Sequence, residues 1–147
     1  MASEIRTTFD LMQAVAHKLG GEDVILRMHG CAYEKYDGIS YKSESGAIVI
    51  DMRSGLDDAA SLRLFLHELA HCVLHVRNMP RVNVATLKPN SIKEPVNVTE
   101  KYMSEEHEAN ALMKKWLTWA RALMNIFPDH FSGMSDEEAI LQALLRY

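Results

Sequence analysis

The stretch from Leu64 to Val76, which reads LFLHELAHCVLHV, constrains the fold of this chain more than any other. It contains His67, Glu68 and His71 in the spacing H-E-x-x-H. On a helix, residues four apart lie about 40° apart around the axis and about 6 Å apart along it, so two imidazole nitrogens can converge on one ion. The motif therefore predicts a helix that carries a metal site, with His67 and His71 as ligands and Glu68 beside them as a base.

Apolar residues around the motif predict that this helix is buried on most of its surface. Those on one side recur at helical spacing: Leu62, Phe65, Leu66, Leu69, Val73 and Val76. Leu64 and Leu74 flank the histidines on the other side. Because buried polar groups without partners are costly, the histidines and the glutamate of such a helix need partners. A bound metal would supply them.

Composition and charge set limits on the class of protein. The 147 residues are 48% hydrophobic and 24% charged, which predicts one soluble domain over residues 1–147. The net charge of −4 argues against direct nucleic-acid binding, which normally requires a basic surface. Two cysteines, Cys31 and Cys72, are too few for a disulfide framework and are predicted to be reduced. We found neither a signal-peptide pattern nor an apolar run of membrane-spanning length, so we expect a cytoplasmic protein without a membrane partner.

The order of apolar patterns predicts an α+β fold. A first helix should end at Gly20 and Gly21. Four short apolar or alternating runs then predict strands: Val24–Met28, Cys31–Tyr36, Ile39–Lys42 and Ala47–Ile50. Because turn signals at Asp37-Gly38 and at 43–46 separate three of these runs, we expect a small, mainly antiparallel sheet packed against the motif helix and the other helices.

The second half of the chain is predicted to be helical around one irregular segment. The motif helix should begin near Asp57, a long helix should run from Ser104 to Asn125, and a last helix from Asp136 to Arg146. The segment 78–98 contains three prolines and is predicted to be a long loop, either a lid over the site or a simple connector.

Two histidines do not complete a catalytic zinc site, which normally has three protein ligands and one open position for water. His75 continues the four-residue series, but it would lie about 12 Å from His67 along an unbroken helix, so we predict that it packs against or orients a ligand. Glu105 and Glu106 are interpreted as acidic residues that favour a helix N-terminus. Glu108 is predicted to face the core, where its carboxylate would need a cation or hydrogen-bond donors.

The strand AIVID, the run SLRLFLHELAHCVLH and the downstream EHEAN together resemble the ImmA/IrrE-like zinc metallopeptidases, over about Gly46 to Leu117. The resemblance implies a minimal zincin-like domain with one zinc ion. His67, His71 and Glu108 would be the ligands, as in gluzincins, and Glu68 would be the catalytic residue. It also implies a protein substrate, for example a helix-turn-helix repressor on a separate chain, and an origin in a phage or mobile element.

The expected reaction is hydrolysis of a peptide bond by a zinc-activated water, with Glu68 as general base. Tyr102, His107 and His75 are candidates for stabilising the oxyanion or for supporting the ligands. Two other interpretations remain open. The chain could be a non-enzymatic zinc-containing protein that sequesters a regulatory partner, or the histidines could hydrogen-bond in a core without zinc.

Overall fold

A computed structural model describes residues 7–29, 37–82 and 100–147 of the chain, and it confirms the α+β class. The helices are α1 (Thr8–Gly20), α2 (Asp58–Leu74), α3 (Glu100–Ile126) and α4 (Asp136–Leu144). The strands are β1 (Val24–His29), β2 (Gly38–Ser43), β3 (Ile48–Arg53) and β4 (Arg81–Val82). Short 3-10 turns follow α2 at Val76–Asn78 and α3 at Pro128–Phe131.

The described strands form a mixed sheet in the order β1-β3-β2-β4. β3 pairs with β1 in parallel and with β2 in antiparallel orientation, and the short β4 pairs with β2 in parallel. The prediction of a mainly antiparallel sheet is therefore wrong. The turn at 43–46 does form the expected connection between β2 and β3, with the amide of Ser43 bonded to the carbonyl of Ala47. The predicted strand Cys31–Tyr36 lies outside the described residues.

β3 lies at the centre of the sheet, and α2 lies at the centre of the helical layer. The strand is buried from Ile48 to Met52, as expected for a strand with neighbours on both edges and contacts on both faces. Phe65 and Leu69 of α2 are fully buried and belong to the core that the helices form over the sheet. Cys72 of the same helix is buried and unpaired, in agreement with a reduced thiol.

Helix ends follow the predicted signals closely. α1 ends at Gly20 and is capped by Gly21, whose φ of 117° is readily adopted only by glycine. α2 is capped by the side chain of Asp57, which accepts from the amide of Ala60 at 2.8 Å. Ser135 caps α4 by accepting from the amide of Glu138. α3 starts four residues earlier than expected, at Glu100.

Among the described residues, no helix is long and apolar enough to cross a membrane.

Candidate metal centre

The H-E-x-x-H residues lie in the second half of α2, where the helix passes beneath α3. His67 and His71 are partly exposed on one side of α2, and their Nε2 atoms lie 3.2 Å apart. Their rings meet edge to face, with centroids 4.7 Å apart. The predicted convergence of the two imidazoles is therefore present. Burial lowers the pKa of His71, which favours the neutral imidazole that a metal requires.

Glu106 of α3 brings a carboxylate to this histidine pair. Its Oε2 lies 3.0 Å from Nε2 of His67, and its Oε1 lies 3.0 Å from Nε2 of His71. Ligand atoms of the three residues all lie within 4.8 Å of one another, so His67, His71 and Glu106 could hold a metal ion. Four ligands around zinc at about 2.0 to 2.1 Å would be about 3.3 Å apart, close to the separations in this cluster.

The carboxylate beside the histidines therefore belongs to Glu106. Glu108, which the resemblance implied as the third ligand, lies elsewhere. The buried line of α3 runs through Ala109, Met113, Trp116 and Ala120. At 100° per residue, Glu106 lies about 60° to one side of Ala109, whereas Glu108 lies about 100° to the other side. The side chain of Glu108 is accordingly 58% exposed. Its inward orientation was a wrong prediction, and so was the interpretation of Glu106 as a mere helix-end charge.

Asn110 orients the first histidine from the same side of α3. It lies one helical turn after Glu106, and its Oδ1 is 3.0 Å from Nδ1 of His67. Because an amide oxygen can only accept, this contact places the ring proton on Nδ1 and leaves the Nε2 lone pair facing Glu106. Sequence reasoning did not assign a role to Asn110. The four-residue spacing of a carboxylate and an amide on one helix face was the signal that could have identified both residues.

His75 and Glu108 form a separate contact next to the cluster. The ring of His75 lies beside that of His71, and the Nδ1 atoms of the two rings are 3.1 Å apart. On its other side, Nε2 of His75 lies 3.0 Å from Oε1 of Glu108. α2 ends at Leu74, and His75 is its C-terminal cap residue. The structure therefore places His75 against a candidate ligand.

Glu68 lies in the cleft beside the metal cluster. This cleft has a volume of about 270 Å³ and is lined by residues of β2, α2 and α3, among them Ser40, Glu68, His71 and Glu106. The hydroxyl of Ser40 donates to Oε1 of Glu68 at 2.8 Å. Burial is the main reason that the pKa of Glu68 is raised to about 7; the bond from Ser40 opposes this rise, and the nearby charge of Glu106 adds a smaller part to it. Such a carboxyl group can both accept and release a proton near neutral pH.

The other predicted site residues contribute less. His107 is exposed on α3 and belongs neither to the cluster nor to the residues that line the cleft. Tyr102 lies within α3, but its side chain is outside the described part of the structure. Of the predicted loop 78–98, the structure describes only residues 78–82. In this part the end of the 3-10 turn Val76–Asn78 and the short strand β4 replace the expected irregular structure.

Comparison of the chain with family models, with curated proteins and with solved structures gives no match. The resemblance suggested by the two sequence motifs is therefore an expectation without independent support. The cluster of His67, His71 and Glu106 and the cleft beside it are the features of the described structure that bear on function.

Proposed function

We propose that this chain is a zinc-dependent endopeptidase in which His67, His71 and Glu106 hold the metal. The observation that carries the proposal is the meeting of three electron-pair donors at one point: two Nε2 atoms 3.2 Å apart, each 3.0 Å from an oxygen of the same carboxylate. Neutral imidazole nitrogens and carboxylate oxygens that face one another repel unless a cation lies between them.

The donor set favours zinc over harder cations. Two imidazoles and one carboxylate are typical ligands of a catalytic zinc site, whereas calcium and magnesium prefer oxygen ligands alone. The cleft that contains Glu68 reaches His71 and Glu106, so a fourth position on this side would be open to water and to substrate. An open position distinguishes a catalytic site from a structural one.

Glu68 is suited to the proton transfers of peptide hydrolysis. When bound, zinc would act as a Lewis acid toward water and the scissile carbonyl. The carboxylate of Glu68 would accept the proton that the attacking water loses and would deliver it to the amine nitrogen that leaves. Ser40, through its bond to Oε1, holds Glu68 in the cleft and leaves Oε2 as the oxygen for this transfer.

The proposed substrate is a protein, and the resemblance to ImmA/IrrE-like peptidases suggests a helix-turn-helix repressor on a separate chain. That resemblance concerns the strand AIVID, the H-E-x-x-H run and the EHEAN segment. The same resemblance suggests that this zincin-like chain comes from a phage or mobile element. We therefore expect the natural substrate to be encoded near the gene for this chain.

The proposal can be tested with the wild-type chain and Glu68→Gln. Both are purified without added metal, and zinc per chain is measured by elemental analysis. Each is then incubated with a lysate of the source cells, and new protein N-termini are identified by mass spectrometry. We expect about one zinc per chain in both proteins. New N-termini should form only with the wild type, because Glu68→Gln retains the ligands and removes the base.

Three outcomes would contradict this proposal in different ways. Absence of zinc in the wild type would favour a core in which the histidines only hydrogen-bond. Zinc without cleavage in the wild type would favour a zinc-containing protein that sequesters its partner. Equal cleavage by both proteins would show that Glu68 is not the base.

A further inference from the structure

We propose that Glu108 and His75 form a positioning relay for His71, which fixes the ring of this ligand with its Nε2 directed at the metal. This inference rests on the proposed zinc site and adds two residues to it. Neither is assigned as a ligand, since the described cluster consists of His67, His71 and Glu106.

The hydrogen-bonding capacity of Glu108 determines the direction of the relay. Its Oε1 lies 3.0 Å from Nε2 of His75, and an ionised carboxylate can only accept. His75 must therefore carry its proton on Nε2, which leaves its Nδ1 as an acceptor. That Nδ1 lies 3.1 Å from Nδ1 of His71, so the proton of His71 must be on its own Nδ1.

The consequence for His71 is that its Nε2 has a free lone pair on the side of Glu106. Nε2 is the atom that lies 3.0 Å from Oε1 of Glu106 and 3.2 Å from Nε2 of His67. Asn110 has the same effect on His67 through a single contact. Both candidate histidine ligands therefore receive a defined tautomer from residues outside the cluster, as is common around bound zinc.

Burial distinguishes the two members of the relay. The side chain of His75 is only 9% exposed and lies at the end of α2, so its position is fixed by packing. Glu108 is 58% exposed and depends on its bond to His75 for a fixed orientation. Removal of His75 should therefore disturb His71 more than removal of Glu108, and Glu108 should act only through His75.

Zinc affinity of the full chain tests this relay. Metal-free protein is titrated with zinc in competition with a chromophoric chelator, for the wild type, His75→Ala, Glu108→Ala, Glu108→Gln and the His75→Ala/Glu108→Ala double variant. Loss of an orienting partner typically weakens metal affinity by about 10- to 100-fold. We expect that range for His75→Ala, about tenfold for Glu108→Ala, and near wild-type affinity for Glu108→Gln, which keeps an acceptor oxygen.

The double variant should bind zinc no more weakly than His75→Ala alone, because residues that act in series are not additive. Glu105→Ala is the matched control, since it removes the same charge from the same helix and should leave the affinity nearly unchanged. The histidine ring nitrogens give a second readout by NMR: His75 should carry its proton on Nε2 in the wild type and lose that preference in Glu108→Ala.

Two results would overturn the relay while leaving the zinc site intact: an unchanged zinc affinity in both His75→Ala and Glu108→Ala, or a His75 proton on Nδ1 in the wild type. A wild-type chain that binds no zinc would instead overturn the proposed function, and the relay with it. An equal loss in Glu108→Ala and Glu105→Ala would reduce Glu108 to a general charge effect and would also refute the relay.

Discussion

Replacement of Glu106 by alanine should weaken zinc binding far more than any other single carboxylate substitution on α3. Both oxygens of Glu106 face histidine nitrogens at 3.0 Å. Zinc binding of about 10 to 16 kcal/mol at a four-ligand site corresponds to about 2.5 to 4 kcal/mol per ligand. At 1.4 kcal/mol per tenfold change, the loss of this ligand is expected to weaken zinc binding by roughly 100- to 1,000-fold.

The assay is competition with a chelator of known affinity, applied in parallel to Glu106→Ala, Glu108→Ala and Glu105→Ala. All three remove one negative charge from the first half of α3, so a general electrostatic effect would weaken them equally. We expect zinc affinity to fall most in Glu106→Ala, less in Glu108→Ala and least in Glu105→Ala. Retention of zinc by Glu106→Ala within about tenfold of the wild type would refute its role as a ligand. A larger loss in Glu108→Ala would restore the assignment that the sequence suggested.

Four further predictions concern stability and the surroundings of the site. Zinc at 100 times its Kd should stabilise the fold by about 2.7 kcal/mol, so a chelator should lower the melting temperature of the zinc-loaded chain by roughly 5 to 10 °C. Arg77→Ala should cost at most about 1 kcal/mol in denaturant unfolding, because its ion pair with Asp23 is half exposed. The Arg77 side chain lowers the pKa of Asp23 below its ordinary 3.8, so the ion-pair part of this cost should be complete above that pH and should be lost in acid as Asp23 is protonated. Cys72 should resist alkylation until the chain is unfolded, as mass spectrometry would detect, because burial raises the pKa of its thiol. Ser40→Ala should reduce peptide cleavage roughly tenfold at unchanged zinc content, since it removes the bond that holds Glu68.

Local sequence signals were sufficient for most helices and strands but not for the pairing of the strands. Side-chain caps at Asp57 and Ser135 act within one turn, so their positions in the sequence marked the starts of α2 and α4 to within a residue. The parallel pairing of β1 with β3 depends on contacts between residues more than 20 positions apart, from Val24 beside Ile48 onward. A turn signal such as Asp37-Gly38 favours antiparallel neighbours, and nothing local indicates that β3 will lie between β1 and β2.

The position of Glu106 depends on the rotation of α3 about its axis, and the sequence near the start of this helix left that rotation ambiguous. Glu108 precedes Leu112 by four residues and Trp116 by eight, so an inner face drawn through these two apolar residues would include it. Leu112 is only half-buried, however, and the fully buried Ala109 and Ala120 set the actual face. Small residues on a helix allow another helix to approach closely, although they contribute little to an apolar periodicity. α2 lies against α3 on the side of Glu106. A pair of residues four apart on α2, His67 and His71, therefore faces a pair four apart on α3, Glu106 and Asn110. Two such pairs of metal-binding or orienting residues on separate helices indicate a metal site more strongly than one H-E-x-x-H motif, because each pair defines which face of its own helix points to the site.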